Sequence, residues 1–393
     1  MIDYSAVMSR RIQEVKPSGI RRFFDLANGS GIADIISLSI GEPDFSTPWH
    51  IRRAAIESIE KGRTYYSPNR GFADLLAAIS DYFDRRFHLR YEPTTEILVT
   101  VGGSEAIDCG IRTLVEPGDE VLIPQPSFVC YEPLTQMAGG VAVPLVTRAV
   151  DQFRLTAETL RAAITPRTKL LILPFPNNPT GGVMRREHLE SIAAVLRDTN
   201  IMVLSDEIYS ELTYGRTPHV SIASIDGMRE RTVVINGFSK AFAMTGWRLG
   251  YAMGPAEVIR QMTKLHQFGI MSAPTTAQFG AIEAMKNGDI DIENMRCEYD
   301  MRRRMIVERL RSMGLDCFEP EGAFYVFPSI QSTGLSSEEF CTRLLQEYHV
   351  AVVPGSAFGE SGEGFVRISY SYSMKHLTEA MDRMEAFLQS LRK

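Results

Sequence analysis

At 393 residues the chain exceeds the size at which a single hydrophobic core usually stops growing, so two domains are expected, with room for a site between them. Hydrophobic residues at 44% and charged residues at 23% are ordinary for a soluble globular protein, and a net charge of −6 leaves no basic footprint for nucleic acid. The longest apolar runs, such as Leu170-Leu171-Ile172-Leu173, are strand-sized and far below the roughly 18 residues of a membrane span, so no membrane helix is expected.

Residues 1–16 are polar and mixed in charge with no apolar h-region, which argues against a secretory signal and makes the cytoplasm the expected compartment. From about residue 96 to 254 short apolar runs alternate with helical patterns. Ile97-Leu98-Val99-Thr100-Val101 precedes a helical stretch at 104–115, and Glu120-Val121-Leu122-Ile123-Pro124 follows it. Further strands are expected at 169–173, 201–204 and 232–235, with a helix at 186–198 between the first two. Continuous apolar strands joined by helices imply a mainly parallel sheet flanked by helices, an α/β architecture whose ligands bind beyond the carboxyl ends of the strands. After about residue 287 the pattern changes to a charged helix at 293–313, a strand at 323–327, a helix at 337–348 and a strand at 365–369, as in a smaller α+β domain. The last segment spaces Leu377, Ala380, Met381, Met384, Phe387, Leu388 and Leu391 by three and four, predicting an amphipathic helix. The glycine-rich acidic stretch 355–364 lacks the lysine and spacing of a phosphate cradle and reads as a mobile surface turn. Cys109, Cys130, Cys297, Cys317 and Cys341 are widely spaced without a C-x-x-C pair and read as buried thiols; the scattered histidines add no ligand pattern, so no metal is expected.

Lys240 follows the run Thr232-Val233-Val234-Ile235, sits beside Ser239 and precedes Arg248 in an otherwise small or apolar segment. An ammonium short of water and near a second cation loses its proton readily, and only the free amine forms a Schiff base with a carbonyl. Ser239 and Arg248 suit the phosphate of an aldehyde cofactor such as pyridoxal phosphate, although a surface loop would also account for such a lysine. Asp206 ends an apolar strand, where a carboxylate needs a cation such as a pyridinium nitrogen; capping a helix that begins at Glu207 is the alternative. Gly102-Gly103-Ser104 lies between strand and helix, which suits either an anion site or an ordinary turn. Two prolines and two glycines restrict the backbone around Asn178, whose amide can donate to a phenolate oxygen. Arg367 in the strand Phe365-Val366-Arg367-Ile368-Ser369 needs an anion, either a substrate carboxylate or a glutamate.

Asn178-Pro179-Thr180-Gly181, Asp206-Glu207-Ile208-Tyr209, Ser239-Lys240-Ala241 and Gly246-Trp247-Arg248-Leu249-Gly250 in this order resemble the class I/II pyridoxal-phosphate aminotransferases of fold type I, the aspartate and aromatic aminotransferase-like family. The resemblance runs from Pro17-Ser18-Gly19-Ile20 and Gly41-Glu42-Pro43-Asp44-Phe45 to Arg367-Ile368-Ser369, nearly the whole chain. It implies that Lys240 is the Schiff-base lysine and later the proton shuttle, that Asp206 pairs the pyridine nitrogen, and that Tyr209 and Asn178 hold the ring hydroxyl. Gly103, Ser104, Ser239 and Arg248 are then the phosphate ligands, and Phe128 stacks on the ring where some members have tryptophan. Glu105 stands where some have glycine. Arg367, with backbone at Gly41, is implied for the substrate α-carboxylate, and Tyr66 for the phosphate of the neighbouring subunit in a homodimer. The family's arrangement assigns 47–287 to a large cofactor domain and 1–46 with 288–393 to a small discontinuous one.

The implied reaction is a ping-pong transamination from an L-amino acid to a 2-oxo acid, often 2-oxoglutarate. The stretches 17–24 and 66–71 look like the subgroup holding aromatic, aspartate and N-acetyl-diaminopimelate aminotransferases, so the small-molecule partner stays open among these. A carbon–sulfur β-lyase with the same cofactor is the rival reading. Gly237-Phe238-Ser239-Lys240-Ala241 approximates a serine hydrolase elbow, but its last position is alanine and no acid-then-histidine pair follows. A cofactor-binding regulatory module is disfavoured because the family's first motif comes almost at once, with no room expected for a DNA-binding domain.

Overall fold

The apolar runs pair into strands in a computed structural model that describes residues 1–20, 23, 29, 32, 34–215 and 218–392. In chain order they are β1 (Ile36–Ser37), β2 (Ile97–Thr100), β3 (Glu120–Gln125), β4 (Val141–Val146), β5 (Thr168–Pro174), β6 (Met202–Asp206), β7 (Thr232–Gly237), β8 (Gly250–Met253), β9 (Tyr325–Val326), β10 (Val350–Ala351), β11 (Val353–Pro354) and β12 (Val366–Ser369). A seven-stranded sheet takes the order β2-β8-β7-β6-β5-β3-β4. All its pairings are parallel except those of β8, which runs antiparallel to β2 and β7. The expected mainly parallel sheet flanked by helices is therefore present.

Side chains alternate across the pleat, so one strand feeds two cores. Leu170 and Ile172 of β5 join Leu204, Val233 and Ile235 beneath Ile107, Ile111, Ile259 and Met262 of the helices Gly103–Leu114 and Ala256–Gly269. Leu171 and Leu173 point the other way, into Leu189, Ile192 and Leu196 of the helix Arg186–Leu196. Burial on both faces explains why these strands read as unbroken apolar runs. Register then aligns the carboxyl ends: Pro174 pairs with Asp206, and Asp206 with Ile235.

The C-terminal part centres on a core that Ile36 and Leu38 join from the N-terminal side and that Tyr209, Leu212, Tyr214 and Ala243 join from the larger part. β1 pairs in parallel with β10, and β11-β12-β9 form a three-stranded antiparallel sheet. The terminal helix Met374–Leu391 buries Leu377, Ala380, Met381, Met384, Phe387 and Leu388, as its spacing predicts, while Leu391 is only partly covered. The charged helix begins earlier than expected, at Asp289, with Asp289 and Asp291 in a first turn whose dipole favours acidic side chains. The strand expected at 323–327 is paired only at Tyr325–Val326, since Ala323 takes φ +58°. Two further expectations need correction. The 355–364 stretch is packed rather than a surface turn: Phe358 is buried, and the Glu363 carboxylate accepts the Ser337 N–H at 2.8 Å and hydroxyl at 2.6 Å. Cys297 is exposed on the charged helix, four residues from the Glu293 that its thiol meets at 3.3 Å, unlike buried Cys109, Cys317 and Cys341. No helix among the described residues is long and apolar enough to cross a membrane.

Candidate active site

The carboxyl ends of β5 and β6, the loops after β2 and β7, and Tyr325 and Arg367 of the C-terminal sheet enclose a cavity of about 510 Å³. Gly41, Gly103, Ser104, Phe128, Asn178, Asp206, Tyr209, Ser239, Lys240, Arg248 and Arg367 all line it. Tyr66 does not; it is 77% exposed. Arg21, Arg22 and Phe24 of the entry stretch lie outside the described residues.

The Lys240 amine donates to the Gly41 carbonyl at 2.6 Å. Its nitrogen touches the cavity but lies deep in the protein, and burial lowers its pKa to about 8, with Arg367 and Arg248 pushing the same way against Glu42 and Asp206. Asp206 shows the converse effect. Burial raises its carboxyl to about 6, although Oδ2 accepts the Tyr131 hydroxyl at 2.7 Å and Oδ1 accepts the Ile208 N–H at 3.2 Å. That second bond makes a local turn, and no helix begins at Glu207. The carboxylate is thus positioned to pair with a bound cation.

Gly102 ends the loop after β2 with φ +79°, and a Cβ there would come within 2.5 Å of Arg248 Nη2. The guanidinium therefore lies against the N-terminus of the helix Gly103–Leu114, which has no side-chain cap. The Ser104 and Ser239 hydroxyls, which make no hydrogen bond among the described residues, face the same cavity. Uncapped N–H groups, two hydroxyls and a guanidinium suit a phosphate dianion. Glu105 in the same first turn accepts the Val101 N–H and pairs with fully buried His266 at 2.7 Å, which ties the loop down.

Arg367 is 2% exposed, and no carboxylate meets it among the described residues. Its Nη1 donates to Asn178 Oδ1 at 2.9 Å, its Nη2 donates to the Ser39 carbonyl, and its Nε is buried without a partner. Because arginine only donates, it fixes the amide with oxygen towards Arg367, leaving the Asn178 NH₂ for another acceptor. An orphaned guanidinium nitrogen in an apolar wall fits an arriving anion. Phe128 meets Tyr131 edge-on at 6.0 Å, and the rest of the lining is largely apolar: Ile20, Ile40, Ile107, Val129 and Ile208.

The sequence motifs and the fold agree with the comparison to known families: the model of the aminotransferase class I and II family matches residues 33–384. The chain belongs to that family. This aminotransferase is 50% identical over 384 residues to a putative aminotransferase, YugH, of Bacillus subtilis, covering 98% of this chain and 99% of the relative. It is 46% identical to aromatic-amino-acid aminotransferase 2 of Thermococcus litoralis, over 97% of this chain and 98% of that one. A solved aspartate aminotransferase from Thermus thermophilus with maleate superposes with a TM-score of 0.92 at 38% identity, over 96% of this chain and 99% of that one. The fold is that of fold type I, and the aminotransferase is pyridoxal-phosphate dependent. Uncapped backbone, free hydroxyls, a lysine near neutrality and a carboxylate lacking a cation make the residues present a fit to that group.

Among the lining residues not singled out from sequence are two phenols with polar partners in the site. Tyr131 meets Asp206 across 75 positions of chain, and Tyr325 meets Tyr209 across 116. For Tyr131 the available signal is an aromatic three positions beyond Phe128; for Tyr325 it is the phenol in the expected 323–327 strand.

Proposed function

We propose that this aminotransferase transfers the amino group of an aromatic L-amino acid to a 2-oxo acid, with 2-oxoglutarate as acceptor, in two half-reactions through one site. The supporting observation is that a single cavity gathers Lys240, Asp206 and Arg367. Gly103, Ser104, Ser239 and Arg248 would hold the cofactor phosphate, Phe128 its ring face, Asp206 its ring nitrogen, and Asn178 and Tyr209 its ring oxygen. Bound pyridoxal phosphate supplies an electron sink for the bonds at the substrate Cα. Lys240, with a pKa of about 8, has a neutral fraction at Nζ near physiological pH to attach the cofactor and, once released, to carry a proton from Cα. Arg367 binds the α-carboxylate and Gly41 lends backbone beside it.

The aromatic choice over aspartate or N-acetyl-diaminopimelate is favoured by the lining. Beyond Lys240, Arg248 and Arg367 no cation lines the cavity among the described residues, so none of these residues offers a second carboxylate a further anchor, whereas Ile20, Ile40 and Val129 suit a ring. A homodimer, with Tyr66 reaching the neighbouring phosphate, and a cytoplasmic setting complete the proposal; a monomer by sedimentation would remove the Tyr66 role. The test is a panel of L-amino acids presented with 2-oxoglutarate. Phenylalanine or tyrosine should exceed aspartate in kcat/KM by roughly tenfold or more. Preference for aspartate would overturn the donor assignment, and release of ammonia without an acceptor would overturn transamination in favour of elimination.

A further inference from the structure

Tyr325 is 1% exposed, and its hydroxyl lies 2.8 Å from that of Tyr209. Its ring meets the Tyr209 ring edge-on at 5.9 Å and carries the Arg367 guanidinium 4.6 Å above its centroid. The hydroxyl also fills the space beside Gly41, where a Cβ would lie 1.8 Å away, and the Gly41 carbonyl is the acceptor of Lys240. One phenol thus touches the partner of the cofactor oxygen, the substrate anchor and the backbone that holds the lysine.

Each phenol has a single proton, and no other hydrogen bond of either hydroxyl is formed among the described residues. Two arrangements follow. If Tyr209 donates to Tyr325, Tyr209 has no proton left for a ligand. If Tyr325 donates to Tyr209, the Tyr209 proton is free for an anionic oxygen, and the two bonds in series strengthen one another. Burial pushes both phenols above their ordinary range, so neither escapes this choice by ionising at working pH.

We propose that Tyr325 is a positioning residue that donates to Tyr209 and so directs the Tyr209 proton onto the ring oxygen of the cofactor. The proposal rests on the reading of Tyr209 given above. Stronger donation to that oxygen stabilises its anionic form, which lowers the pH at which the lysine-linked cofactor loses its proton and changes its visible absorbance.

The experiment is a spectroscopic pH titration of the pyridoxal-phosphate holoenzyme, carried out on wild type, Tyr325→Phe, Tyr209→Phe and the double variant. Tyr325→Phe keeps the ring beneath Arg367 and removes only the hydroxyl. Its midpoint should rise by roughly half to one pH unit, a three- to tenfold change in proton affinity. Tyr209→Phe should raise it further, and the double variant should match Tyr209→Phe alone because the relay has one outlet. A normal midpoint in Tyr325→Phe, with a raised one in Tyr209→Phe, overturns the relay and leaves the Tyr209 role standing. A normal midpoint in Tyr209→Phe overturns both. Additive shifts in the double variant also overturn the relay, and circular dichroism with cofactor stoichiometry establishes that each variant is folded and loaded.

Discussion

Burial moves Asp206 and Lys240 towards neutrality from opposite sides, the carboxyl up to about 6 and the ammonium down to about 8. For Asp206 this has a stability consequence. A folded pKa above the ordinary 3.8 means that the unfolded chain ionises first as pH rises, so stability is lost between about 4 and 6 and stays lost above. The displacement corresponds to roughly 3 kcal/mol. Cofactor-free Asp206→Asn should therefore be more stable than wild type at pH 7.5 by up to about that amount, and the two should converge near pH 4. Adding cofactor should stabilise wild type more than the variant, because only the carboxylate gains a cationic partner. Denaturant unfolding at the two pH values, with and without cofactor, measures this; a constant difference across pH would contradict the account.

At the scale of elements, the strand ends do the positioning. β5 and β6 are in register at Pro174 and Asp206, and the turn at Gly102 brings the helix Gly103–Leu114 against Arg248. A Cβ at position 102 strains a backbone with φ +79° and displaces the guanidinium. Gly102→Ala should weaken cofactor affinity by roughly tenfold to a hundredfold, corresponding to about 1–3 kcal/mol of strain and lost contact. Absorbance titration of the cofactor-free protein with pyridoxal phosphate reads it directly; unchanged affinity would show that the loop does not hold the phosphate. These elements were legible because the chemistry follows the strands in sequence: Asp206 is the last residue of β6, and Ser239 comes two after β7. Tyr131 and Tyr325 were not, since a phenol carries no motif and its partner is set by packing. The charged helix starts at Asp289 rather than at the expected 293 because its dipole favours the acidic first turn of Asp289 and Asp291.

For the whole molecule, the proposed division into residues 47–287 and residues 1–46 with 288–393 draws support from β1, which pairs with β10 and adds Ile36 and Leu38 to the C-terminal core. The cavity takes Lys240 and Asp206 from the larger part and Arg367 from the smaller. Substrate binding at Arg367 would then bear on the packing between the two parts. The pattern of alternating strands and helices made the sheet readable, but the donor could not be read from it, because the lining residues Ile20, Ile40 and Val129 come from separate stretches of chain. The most direct test of the central claim is a single half-reaction: holoenzyme mixed with L-phenylalanine and no 2-oxo acid, with products counted per site. Wild type should yield one equivalent of 2-oxo acid per site without ammonia, and Lys240→Ala, loaded with cofactor, should yield none on the same timescale. Equal yield from Lys240→Ala would contradict the account.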